Sequence, residues 1–204
     1  MGSSSIAAKV VGIAAFLAFV AGVTHSHSAR TDTSAAVRAL DADLRAHDSA
    51  TEVLGRWCAS RRLADPPVIR AMRDEAVDKP AGRQIRALLK LGLNEPVRYR
   101  RVRLVCGSHA LSNADNWYVP DRLTPDMNRQ LDQTDIPFGL VVKPLGYHRV
   151  RLASTLLLNR DGTSRAGQGV LRHEALLVEA SGLPFSLVVE TYTPDVVTLS
   201  PPDR

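Results

Sequence analysis

Two kinds of charged residue stand where a β-sheet would bury them, and both could do chemistry. The first is arginine, in the stretch Val97-Arg98-Tyr99-Arg100-Arg101-Val102-Arg103-Leu104-Val105-Cys106. β-Branched and aromatic residues without internal proline or glycine, followed by Gly107-Ser108, predict a strand. Side chains alternate along a strand. Tyr99, Arg101, Arg103 and Val105 therefore share one face, and Arg98, Arg100, Val102, Leu104 and Cys106 the other. If either face meets a core, a guanidinium points inward and needs an anion from the protein or from a ligand. An edge strand with solvated arginines is the alternative. The second residue is Glu190, inside the otherwise apolar Leu187-Val188-Val189-Glu190-Thr191-Tyr192 and on one face with Val188 and Tyr192. A carboxyl in such a place stays protonated or takes a cation. Arg101 or Arg103 is the expected cation, either in a structural ion pair or in a ligand site.

Other chemistries find little support. The six histidines (His25, His27, His47, His109, His148 and His173) are not spaced from one another or from cysteine as metal ligands are. No metal site is expected. The chain has no G-x-S-x-G elbow, Walker loop or dinucleotide fingerprint, which disfavours nucleophilic and nucleotide chemistry. The net charge of +5 is mild and its arginines are scattered among acids. No nucleic-acid partner is expected, and the basic balance suits a small anion.

The elements that must position these residues follow from the pattern. A length of 204 residues predicts one domain with an appendage. Met1 to Ser28 carries Lys9, then the apolar run Val10–Val23, then small polar residues. This is the order of a signal peptide, with an uncleaved N-terminal membrane anchor as the alternative. The remaining domain, 29–204, is expected in the periplasm or secreted, or tethered to the inner membrane. Cys58 and Cys106 pair there or stay as buried thiols. Val37, Leu40 and Leu44 have helical spacing. Ser49 and Glu52 form a capping box for a helix carrying Val53, Leu54, Trp57 and Cys58. Val68 to Arg73 reads as a strand, and Ile85 to Leu91 as a short helix or an apolar tether. A strand ending in Trp117-Tyr118-Val119 forms a hairpin with the arginine strand. Thr124-Pro125-Asp126 starts another helix. Strands are expected at Leu140–Val142 and Arg149–Leu158, and in a long hairpin, Val170–Ala180 with Leu183–Thr193, before a proline-rich tail. Hairpin-joined strands with helices mostly toward the N-terminus predict an α+β fold on an antiparallel sheet.

Taken together, several short motifs resemble the chorismate pyruvate-lyase family over about Asp48 to Thr193. They are Asp48-Ser49-Ala50-Thr51 at a helix start, an arginine five residues before Cys106, Val119-Pro120, Pro137-Phe138-Gly139, and Ser181-Gly182-x-Pro184 leading to Glu190. The resemblance implies a chorismate lyase-like fold, with helices on an antiparallel sheet and an aromatic-acid pocket buried under two flaps. It implies that Arg101 and Glu190 are the catalytic and ligand-binding side chains, and that the amides of Ala50 and Phe138 bind the ligand. A register shift would put Arg100 or Arg103 in place of Arg101. The implied reaction is cofactor-free elimination of pyruvate from chorismate, giving 4-hydroxybenzoate, the committed acid of ubiquinone biosynthesis. The leader sits poorly with a cytoplasmic substrate. A non-catalytic, exported or tethered binder of aromatic carboxylic acids is therefore the second expectation. A monomer is expected in either case.

Overall fold

The protein is described by a computed structural model covering Gly2 and residues 21–92, 94–165 and 167–198. The expected leader, up to residue 20, and the last residues of the tail lie outside the described residues. Among the described residues, no helix is long and apolar enough to cross a membrane.

One six-stranded antiparallel sheet organises the chain, in the order β1-β2-β3-β6-β5-β4. Its strands are β1 (Ile69–Arg73), β2 (Arg98–Cys106), β3 (His109–Tyr118), β4 (His148–Leu156), β5 (Leu171–Val178) and β6 (Pro184–Tyr192). β2–β3 and β5–β6 are tight hairpins. The central pair, β3–β6, aligns Ala114 with Glu190 and Asn116 with Val188. This is the expected α+β fold, chorismate lyase-like in its sheet and covering helices, with a cavity between them.

The helices are α1 (Ala21–Ala46), α2 (Ala50–Ser60), α3 (Arg83–Leu88), α4 (Pro125–Gln133) and α5 (Phe138–Val141). In α1, Val37, Leu40 and Leu44 are buried at the expected spacing, each contributing roughly 1.5–3 kcal/mol of apolar burial. They join Val53, Leu54, Val102, Leu104 and Tyr192 in one core. A second core sets α4 and α5 against Tyr118, Leu177, Phe185 and Val188. A third lies on the opposite sheet face, with Leu89, Trp117, Val119 and Leu187. Cys58 and Cys106 form a disulfide, Cα–Cα 6.4 Å, tying the end of α2 to the end of β2.

Three local expectations change. The expected strand at Leu140–Val142 is instead part of the single turn α5 and its cap, with Pro137 at the N-cap and Val142 at the C-cap. The capping box is half made. Ser49 Oγ accepts from Glu52 N at 3.2 Å, but the Glu52 side chain turns outward to Lys143. The start of the tail, Pro194–Val197, coils into a short 3-10 turn and buries Val196.

Candidate functional site

The pleat of β2 settles which arginine faces inward. Arg100, Val102, Leu104 and Cys106 are buried, while Arg103 is exposed and Arg101 half-buried on the far side. There Arg101 reaches Asp115 at 3.2 Å and Asp74 at 3.4 Å. Tyr99 donates to the same Asp115 at 2.5 Å, and Lys79 closes the cluster at 2.6 Å. Burial, then the Asp115 carboxylate, pushes the Tyr99 hydroxyl up to about 12. Arg101 therefore belongs to a surface cluster on the face away from the cavity. The register brings Arg100 to the position expected of it.

Arg100 lies in a cavity at the seam of the first two cores. The walls are Val102, Leu104 and Ala114 from one core and Phe138, Leu177 and Val188 from the other. The polar lining comes from Arg100, Asn116, Tyr147, Arg149 and Glu190. Arg100 is 5 % exposed, and among the described residues its Nε and Nη2 donate to nothing. Burial, with Arg73 nearby, pulls its pKa down to about 10, so it still carries its charge at neutral pH. Asn116 is its cross-strand neighbour. Its Oδ1 accepts from Ser186 at 2.5 Å, while Nδ2 finds no partner among the described residues. Buried donors without acceptors are costly, and here three of them, from two cross-strand neighbours, belong to the lining of one cavity.

The other charged groups in the lining already neutralise each other. Arg149 from β4 forms a buried ion pair with Glu190, and Tyr192 Oη donates to Glu190 at 3.0 Å. Burial works against the Arg149 charge, but Glu190, together with Tyr192 and Tyr147, outweighs it and holds its pKa up. The cation that meets Glu190 is thus Arg149, and neither Arg101 nor Arg103. Sequence reading missed Arg149 because β4 alternates arginine with apolar residues, and the apolar set suggests the inward face. The structure reverses this, leaving Val150 and Leu152 each 41 % exposed. A bulge between Arg151 and Ala153 then changes the parity of the strand. Ser154 consequently also turns inward, donating to Asp41 of α1 at 2.7 Å. His173 meets the same Asp41 oxygen at 2.7 Å and packs edge-on against Tyr192. A chain of contacts thus runs from Asp41 of α1 through His173 and the Tyr192 ring to Glu190.

Two short segments roof the cavity, Ala50-Thr51 at the start of α2 and Phe138-Gly139 at the start of α5. They sit so close that a Cβ on Gly139 would lie 3.2 Å from Tyr147 Oη and 3.3 Å from Thr51 Oγ1. Glycine permits that approach. Asp48 Oδ1 accepts from Arg149 N at 2.7 Å, joining the first segment to β4. On the outside, Lys143 bridges to Glu52 at 2.5 Å. The cavity is ≈ 40 Å³, room for a few waters, whereas a benzene-sized guest needs on the order of 150 Å³. Of the residues singled out in the sequence, Ala50, Phe138, Glu190 and Arg100 line the cavity, and Arg101 does not.

Solved structures share this architecture at low identity. PhnF of Mycobacterium smegmatis aligns over 76% of this chain and 67% of its own, with a TM-score of 0.51 and 13% identity. YydK of Bacillus subtilis, described as a possible transcriptional regulator, aligns with a TM-score of 0.45 and 15% identity. The match takes in 67% of this chain, which spans 62% of the YydK chain. A GntR-family transcriptional regulator of Bacillus cereus aligns over 67% of this chain and 99% of its own, with a TM-score of 0.45 and 12% identity. At such identities the likeness is one of fold, and the PhnF comparison carries it. No family model matches the sequence. A protein of Sinorhizobium fredii, described as uncharacterized protein y4mC, is 42% identical over 189 residues, 85% of this chain and 80% of its own length. At that identity and coverage, this chain belongs to the y4mC family.

Proposed function

We propose that the domain binds a small aromatic monocarboxylate without turning it over. The observation that supports this most directly is the pair of unpartnered donors, Arg100 and Asn116, at one end of an apolar-walled cavity. A carboxylate has two acceptor oxygens and the charge to match the guanidinium. Apolar and aromatic walls suit a ring, which enters only when the two roofing segments part, because the cavity as it stands holds a few waters. At the far end Glu190 accepts hydrogen bonds from Arg149 and Tyr192, so it meets a ligand hydroxyl as an acceptor.

Charge argues for one carboxylate over two. Arg149 and Glu190 cancel, leaving the single charge of Arg100 in the lining. Chorismate carries two carboxylates, and the second would enter without a partner cation. The same pairing leaves no free acid or base among the lining carboxylates. The disulfide, with the leader-like order of residues 1–28 in the sequence, supports a place outside the cytoplasm, periplasmic, secreted or tethered by the N-terminus to a membrane. Chorismate made in the cytoplasm would be scarce there.

The second reading is a chorismate lyase. The resemblance at Asp48–Thr51, Pro137–Gly139 and Glu190 favours it, since those residues meet at the cavity. In that reading the protein positions chorismate, and aromatisation drives the elimination. Mixing the purified protein with chorismate and following pyruvate and 4-hydroxybenzoate together separates the two. The binder reading expects no release, with 4-hydroxybenzoate raising the melting temperature. Equimolar release of both products would establish the lyase. If no aromatic carboxylate binds, neither reading stands.

A further inference from the structure

Ser186 lies on β6, fully buried and outside the cavity lining. Its one described side-chain bond runs to Asn116 Oδ1 at 2.5 Å. The hydroxyl is the donor in this contact, so the Asn116 amide stands with Oδ1 toward Ser186 and leaves Nδ2 without an acceptor among the described residues. With Arg100 beside it, this end of the cavity offers donors only.

We infer that Ser186 sets the cavity's preference for a carboxylate over the matching carboxamide, by locking the Asn116 amide as a donor. This rests on the carboxylate-binding reading above. A carboxylate presents acceptors to both Arg100 and Asn116. A carboxamide presents one acceptor and one NH2, and the NH2 would face a donor. Rejection follows because a buried donor cannot be satisfied by another donor. Without the Ser186 hydroxyl, Asn116 is free to turn its Oδ1 to the ligand and accept from that NH2. Ser186 is thus a positioning residue that selects ligands without touching them.

The test measures affinity for 4-hydroxybenzoate and 4-hydroxybenzamide in the intact protein and in Ser186→Ala, Ser186→Thr and Asn116→Asp. In Ser186→Ala the acid-over-amide preference should fall about fivefold, the worth of one hydrogen bond. Ser186→Thr keeps the hydroxyl and should restore the native ratio. If Ser186→Ala does not fold, Asn116→Asp carries the test. It places an acceptor beside Arg100 and should abolish acid binding while retaining the amide. An unchanged ratio in Ser186→Ala overturns the inference, as does an equal shift in Ser186→Thr or acid binding retained by Asn116→Asp, and in each case the carboxylate site stands. Failure of the native protein to bind 4-hydroxybenzoate or any other aromatic carboxylate overturns the site and the inference together.

Discussion

Replacing Arg100 with methionine should make the protein more stable and unable to bind. The guanidinium is held at about 10, against roughly 12.5 in an unfolded chain. For a base lowered on folding, the unfolded state binds the extra proton. The penalty is thus fully present below the folded value and fades as pH rises through about 10 and beyond. At about 1.36 kcal/mol per pH unit, the difference costs about 3 kcal/mol at neutral pH. Methionine keeps much of the side-chain packing and needs no partner. Allowing for imperfect packing, a net gain of about 1–2 kcal/mol is expected, or about 3–6 °C in Tm for a domain of this size. The assay is thermal unfolding at pH 7 with and without millimolar 4-hydroxybenzoate. The native protein should shift upward with ligand. Arg100→Met should start higher and not shift. A variant that melts lower and still responds to ligand would refute the argument that Arg100 is an unpaired charge kept for an anion.

Glu190→Gln should be costly in its own right, because it leaves the Arg149 charge buried without a counter-ion, at about 3–5 kcal/mol. Denaturant titration should show that adding Arg149→Met to it recovers part of the loss. Reducing the Cys58–Cys106 bridge opens a 48-residue separation. Loop entropy puts this at about 4 kcal/mol, read as a lower urea midpoint in dithiothreitol. Burial pulls the His173 pKa down despite its bond to Asp41. Its contribution is therefore whole above the unfolded value of about 6.5 and lost as pH falls below it. His173→Asn should flatten the stability profile between pH 5 and 7, measured by urea unfolding at each pH.

The faces of β2 were legible from the sequence because side-chain alternation is local geometry. It put Arg100 with Val102, Leu104 and Cys106, and it made Glu190 anomalous inside an apolar strand. The start of α2 at Ser49 was equally legible, since a serine cap acts within one turn. Which β2 face turned inward was not. That depended on the apolar surfaces of α1 and α2, which cover the Val102 side and leave Arg101 to Asp115. Arg149 was hidden for the same reason. Its strand looks apolar on the wrong face, and only the bulge at Leu152 and the buried Glu190 bring a guanidinium inside. Sequence spacing determined what each strand could present to either side. Tertiary packing decided which side became the cavity, because burial is a property of two surfaces that meet and a strand by itself has only one.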